Sequence, residues 1–123
     1  MRVTRDPLAP GPIVAGFYGN GFRVGEIAYP ALLLSPDWHE DWAPPPLDAL
    51  TVEALAGLIA ERPEFILIGT GATLRRPPQA LVRALEDRNI GVEVLNSRTA
   101  ARDWGVLRGE GRQIGAALYP LDA

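Results

Sequence analysis

Gly69-Thr70-Gly71, followed by Arg75 and Arg76, is the stretch with the most chemistry to offer. Small residues let backbone N–H groups come close to a ligand, and Thr70 adds a hydroxyl donor. An arginine guanidinium grips a carboxylate or phosphate through two parallel hydrogen bonds. A helix opening near Pro77 would turn its positive end toward the same place. Arg112, after Glu110 and Gly111, is a third cation for the same crevice. Gly69, Thr70, Gly71, Arg75, Arg76 and Arg112 are therefore the candidate ligand-binding residues, and the ligand expected there is a small anion. A structural alternative stands beside this one. The glycines then only turn the chain off a strand, Arg75 and Arg76 lie on the surface, and Glu110 and Arg112 form a surface ion pair. The stretch is not a dinucleotide fingerprint, because Leu74 takes the place of the third glycine.

Other clusters offer less. Asp37, His39, Glu40 and Asp41 are four ligating residue types within five positions. With no second histidine and no cysteine, no metal site is expected. Trp38 is a candidate partner contact, since tryptophans near prolines anchor proteins, whereas Trp42 is expected under the sheet. Ser35, Ser97 and His39 are the serine–histidine options, but no G-x-S-x-G elbow carries a nucleophile. Glu93 interrupts an apolar run, so its carboxylate needs either a partner, Arg112 or Arg98, or an edge position.

Composition removes whole classes of function. All 12 basic residues are arginine, which excludes a Schiff-base lysine and a phosphate-loop lysine. No cysteine means no disulfide, no thiolate nucleophile and no iron–sulfur cluster. A net charge of −3 argues against a general nucleic-acid binder. The N-terminal residues lack the apolar run of a signal peptide, and no segment approaches the ~20 apolar residues of a membrane span. The expected location is the cytoplasm. No cofactor is expected, and the poverty of catalytic groups leans against an enzyme.

The elements that must position these residues follow from periodicity. Glu64 to Ile68 reads as a strand buried on both faces, ending at the glycines, where open α/β sheets place their ligand crevices. A helix from Asp48, its expected cap, toward Pro63 precedes it, and a helix opening at Pro77-Pro78 follows. Ile90–Leu95 is the next strand, and Asn96 or Ser97 caps a third helix with Ala100, Trp104 and Leu107 on one face. Ile114–Tyr119 closes the chain as a strand. Upstream, residues 13–18, 22–24, 26–28 and 31–34 read as short strands, with Asn20-Gly21 supplying the positive φ of a hairpin turn. Residues 1–12 are expected to be an irregular lead-in and residues 35–47 a long loop. The expectation is one domain over 1–123, of class α/β, with three layers: a mixed central sheet, helices and an N-terminal β-hairpin layer.

An ordered set of residues also resembles a known family. Trp42 and the Gly21-Phe22 hairpin precede Gly69-Thr70-Gly71, Arg76 and Gly91-Val92-Glu93-Val94. Glu110-Gly111-Arg112 and Ala116-Ala117-Leu118-Tyr119-Pro120 then complete the set. Over roughly residues 13–120 the chain is similar to the small bacterial and archaeal proteins of unknown function that include mitochondrial complex I assembly factor 3. The resemblance implies a three-layer α/β fold. It implies a noncatalytic binding or assembly protein whose partner is a protein, respiratory-complex or membrane-associated. The mitochondrial relatives help build NADH:ubiquinone oxidoreductase with a second assembly factor. The resemblance supplies no catalytic residue. The chain departs from the family at Trp104-Gly105, where an aromatic-Asn pair is common.

Overall fold

The structure is a computed structural model and describes residues 1–5 and 11–123. Its strands are β1 (Arg2–Thr4), β2 (Gly16–Tyr18), β3 (Gly21–Val24), β4 (Ile27–Tyr29), β5 (Leu32–Leu34), β6 (Trp38–Asp41), β7 (Phe65–Gly69), β8 (Gly91–Leu95) and β9 (Gly115–Leu118). Its α-helices are α1 (Ala56–Ala60), α2 (Gln79–Glu86) and α3 (Ser97–Gly109). A mixed sheet takes the order β1-β6-β5-β9-β7-β8, and β2-β3-β4 form a separate antiparallel sheet.

Alternation along the central strands sorts the core into two. Ile66 and Ile68 of β7 and Ala117 of β9 face Leu55, Leu58, Leu81 and Leu85, beneath α1 and α2. Leu67, Ala116 and Leu118 face the other way, toward Phe22, Ala100 and Trp104, beneath α3 and the small sheet. Ile66, Leu67 and Ile68 are all fully buried, as a strand dry on both sides requires. The result is a three-layer α/β arrangement. β7 runs parallel to both β8 and β9. The chain moves one way across the sheet from β7 to β8 and the opposite way from β8 to β9. Right-handed crossovers in opposite directions must place α2 and α3 on opposite faces, and they do.

Several elements differ from expectation. The lead-in over residues 1–12 is not irregular throughout, because Arg2–Thr4 pairs antiparallel with β6. Cross-strand contacts hold it: the Arg2 guanidinium lies 3.6 Å from the Trp38 ring centroid and pairs with Glu40. Residues 6–10 of that lead-in lie outside the described residues. The long loop at 35–47 contains β6, a strand made by its two neighbours, β1 and β5, rather than by β-branched residues. The helix from Asp48 is instead two 3₁₀ turns, Leu47–Ala49 and Glu53–Leu55, before the short α1. Leu50 between them is extended, and Asp48 makes no cap bond. In the β2–β3 hairpin the positive φ belongs to Gly19, at 58°, not to Asn20. That is the placement of a turn with glycine first.

Candidate functional site

β7 delivers Gly69, Thr70 and Gly71 to the carboxyl end of the sheet, beside the first turn of α3. There the backbone is closely packed and its donors are used. A Cβ on Gly69 would lie 2.9 Å from Ser97 Cα and from Leu118 Cδ2, so glycine is what lets α3 sit against the strand. Gly71 has φ +103°, and a Cβ there would lie 2.4 Å from the Ala123 carbonyl oxygen. The Gly71 N–H donates to Ser97 Oγ at 2.8 Å, and Ser97 Oγ in turn donates to the Tyr119 carbonyl at 2.7 Å. The Thr70 N–H donates to the Leu95 carbonyl and the Ala72 N–H to that of Ala123. Thr70 Oγ1 donates to the Thr73 carbonyl at 2.7 Å and accepts the Arg75 N–H at 3.0 Å. A cradle for an anion is made of N–H groups pointing at the ligand. Here those of Thr70, Gly71, Ala72 and Arg75 all point at the chain itself.

The two arginines stand outside this knot. Arg75 reaches back, donating from Nη2 to the Thr70 carbonyl at 3.2 Å. Arg76 makes no hydrogen bond or ion pair among the described residues. Both line a groove of about 640 Å³ bounded by Pro44–Pro46, Asp48 and Tyr119. The Tyr119 hydroxyl donates to the Pro45 carbonyl at 2.8 Å, and the Trp42 ring meets the Tyr119 ring edge-on at 5.1 Å. Burial above all pushes the Tyr119 hydroxyl up to about 12, so it stays protonated near neutrality.

Arg112 is not part of this crevice. It precedes β9, which runs parallel to β7, so it sits at the amino end of the strands. Its Nε lies 3.1 Å from Glu64 Oε2, just before β7 begins. Five residues of extended chain, roughly 16 Å, separate that end from Gly69. The Arg112 hydrogen bond holds the Glu64 carboxyl below the usual range, and the same bond raises Arg112. Its ion-pair partner is thus Glu64, not Glu110.

Trp38, expected as a partner contact, is instead buried in the core. It is 3% exposed, and its indole N–H donates to Glu61 Oε1 at 3.0 Å. The period of two in β6 points Trp38 toward α1, while His39 points toward the small sheet. His39 Nε2 lies 3.2 Å from the Tyr29 hydroxyl, and burial lowers its pKa. Asp37 pairs with Arg5 and Asp41 with the Met1 amine. The four ligating residues of this stretch therefore point apart, and no three His, Asp or Glu side chains gather into a metal site among the described residues. Ser97 Oγ is committed to its two backbone partners, and Arg98 lies over the Phe17 ring.

Of the two outcomes expected for Glu93, a partner or a sheet edge, the structure shows the edge, since β8 ends the central sheet; the groove beside it was not expected. This edge strand and α2 bound a second groove, of about 490 Å³, lined by Arg76, Pro77, Gln79, Val82, Val92 and Val94. The available signal was Glu93. It is exposed on β8 and makes no ion pair with Arg98 or Arg112. Such a charge within an apolar run marks a sheet edge.

Comparison with known proteins places this architecture. Residues 14–119 match the family described as proteins of unknown function, DUF498/DUF598. The chain is 33% identical over 119 residues to an uncharacterized protein of Rhodobacter capsulatus, covering 95% of this chain and 92% of that protein. It is 33% identical over 107 residues to the Bos taurus protein named NADH dehydrogenase (ubiquinone) 1 alpha subcomplex assembly factor 3. That alignment covers 85% of this chain, which spans 56% of the bovine protein's length. A crystal structure of a Bordetella parapertussis protein superposes with a TM-score of 0.81 at 28% identity, covering 93% of this chain and 99% of that one.

Proposed function

We propose that this chain, which belongs to the DUF498/DUF598 family of proteins of unknown function, is a binding protein that holds a protein partner during assembly of a larger complex. The observation that carries the reading is the alignment of 85% of the chain with a protein named as a complex I assembly factor. The site geometry supports it: the crevice donors bind the chain itself, and the Tyr119 hydroxyl stays protonated. No helix among the described residues is long and apolar enough to cross a membrane. The proposed setting is the cytoplasm, with a respiratory-complex subunit or membrane-associated protein as the partner. Affinity capture from a lysate of the encoding organism, followed by purified reconstitution, tests this. A stoichiometric partner is the expected result, and a chain that captures none and turns over a small molecule would overturn it.

A second reading rests on Arg75 and Arg76 at the rim of the 640 Å³ groove, where a guanidinium is placed to take a small carboxylate or phosphate. It predicts a rise in melting temperature with phosphate or citrate, since a ligand in hundredfold excess over its Kd adds ~2.7 kcal/mol. That rise would vanish in Arg76→Ala.

A further inference from the structure

β8 is the open edge of the central sheet beyond β7. The Gly91 N–H donates to the Glu64 carbonyl, and the Leu95 carbonyl accepts from the Thr70 N–H, each at 2.9 Å. These groups point toward β7. Strand geometry alternates with a period of two, so the N–H and C=O groups of Val92 and Val94 point away from it. No strand pairs with them among the described residues. Directly beside them lies the 490 Å³ groove, walled by Val92 and Val94 on one side and by Val82 and Gln79 of α2 on the other. Arg76 stands at the end where β8 finishes.

We propose that this edge takes an extended segment of a partner protein as a seventh strand, lying in the groove between β8 and α2. Main-chain bonds to Val92 and Val94 supply the pairing, and alternate side chains settle into the groove. The charges state what that segment must carry. Glu93 is paired in register with Leu67, which faces α3, so it stands on the sheet face opposite the groove. The incoming strand therefore presents small apolar residues toward α2, a basic residue beside Glu93, and an acidic residue at the end that reaches Arg76. A second copy of this chain fits less well. The antiparallel register that pairs all of Gly91–Leu95 with itself sets Glu93 opposite Glu93, and like charges directly opposed are destabilising.

This inference rests on the holding function proposed above and specifies its surface. The probe is a panel of synthetic peptides about seven residues long, alternating valine and threonine. One central arginine steps along the panel, with a glutamate at either end, and amide exchange is read by NMR. In the protein alone, Val92 and Val94 exchange quickly while Gly91, Glu93 and Leu95 are slow. A matching peptide slows Val92 and Val94 by about tenfold or more. Val94→Pro removes an outward N–H that no sheet bond uses, a place where edge strands tolerate proline, and weakens binding by about tenfold. Should that variant fail to fold, Glu93→Arg supplies the test. It loses the arginine peptide and gains one carrying glutamate there. No protection at Val92 and Val94 from any peptide at millimolar concentration would overturn the inference, leaving Glu93 as a charge that keeps edges apart. So would a dimer by light scattering that Val94→Pro dissolves. A native partner captured equally by wild type and Val94→Pro would sink this surface but not the holding function. A wild type that binds the peptides yet captures no partner and turns over a small molecule would sink the holding function alone.

Discussion

Replacing Ser97 by alanine removes one oxygen and strands two buried backbone groups. Ser97 is fully buried, and its Oγ accepts from the Gly71 N–H and donates to the Tyr119 carbonyl. Helix capping is not disturbed, because Asn96 Oδ1 performs it by accepting the Thr99 N–H at 2.8 Å. A buried polar group left without its partner costs about 1–3 kcal/mol, so the two together should cost roughly 2–6. Unfolding entropy of about 2.1 cal/mol/K per residue gives a chain of 123 residues about 0.26 kcal/mol/K. A loss of about 3 kcal/mol then lowers the melting temperature by roughly 12 °C. Urea titration and a thermal scan, both followed by tryptophan fluorescence, measure it, with an unchanged denaturant slope showing that compactness is kept. A loss below about 0.5 kcal/mol would mean instead that Ser97 does not tie Gly71 to the residue after β9.

Other substitutions separate packing from function. Gly71→Ala should destabilise by at least about 1–2 kcal/mol from its left-handed backbone, before its Cβ meets Ala123. Gly105→Ala, at a helical position where an added Cβ meets nothing within 4 Å, should instead stabilise by about 0.5–1 kcal/mol, and paired urea titrations compare the two. Trp38→Ala should cost about 3–5 kcal/mol in the same titration, as befits a core residue rather than a docking one. His39 gives a pH dependence. Burial lowers its folded pKa below 6.5, so the unfolded chain binds more protons in that range. Its contribution to stability is full above pH 6.5 and falls as the pH drops through the lowered value. Stability of wild type relative to His39→Phe should therefore decline from pH 7.5 to 5, and a flat difference would contradict the burial of a neutral imidazole.

The sheet was legible where one residue pattern forces one environment. Phe65-Ile66-Leu67-Ile68, short and bounded by Pro63 and Gly69, reads as a doubly buried strand, and Gly115-Ala116-Ala117 admits layers on both faces. β6 was not legible, because Trp38-His39-Glu40-Asp41 has no β-branched residue and is extended only by the strands on either side. The spacing of Leu50, Ala54, Leu55 and Leu58 suits a continuous helix, but Leu50 reaches the core from an extended residue, Ala54 and Leu55 from a 3₁₀ turn and Leu58 from α1. The misplacement of Arg112 was avoidable. A residue preceding a parallel strand lies at the amino end, away from loops that follow its neighbour. What no local pattern shows is which donors a loop spends on itself, and that is why the Gly69–Gly71 crevice looked open to ligand from sequence.

Amide exchange at Gly71 and Val94 in the unliganded protein separates a closed glycine turn from an open one. If the glycine turn is closed by Ser97 and the binding surface lies along β8, Gly71 exchanges as slowly as the core strands while Val94 exchanges at nearly the rate of an open chain. A fast Gly71 beside a protected Val94 would contradict both.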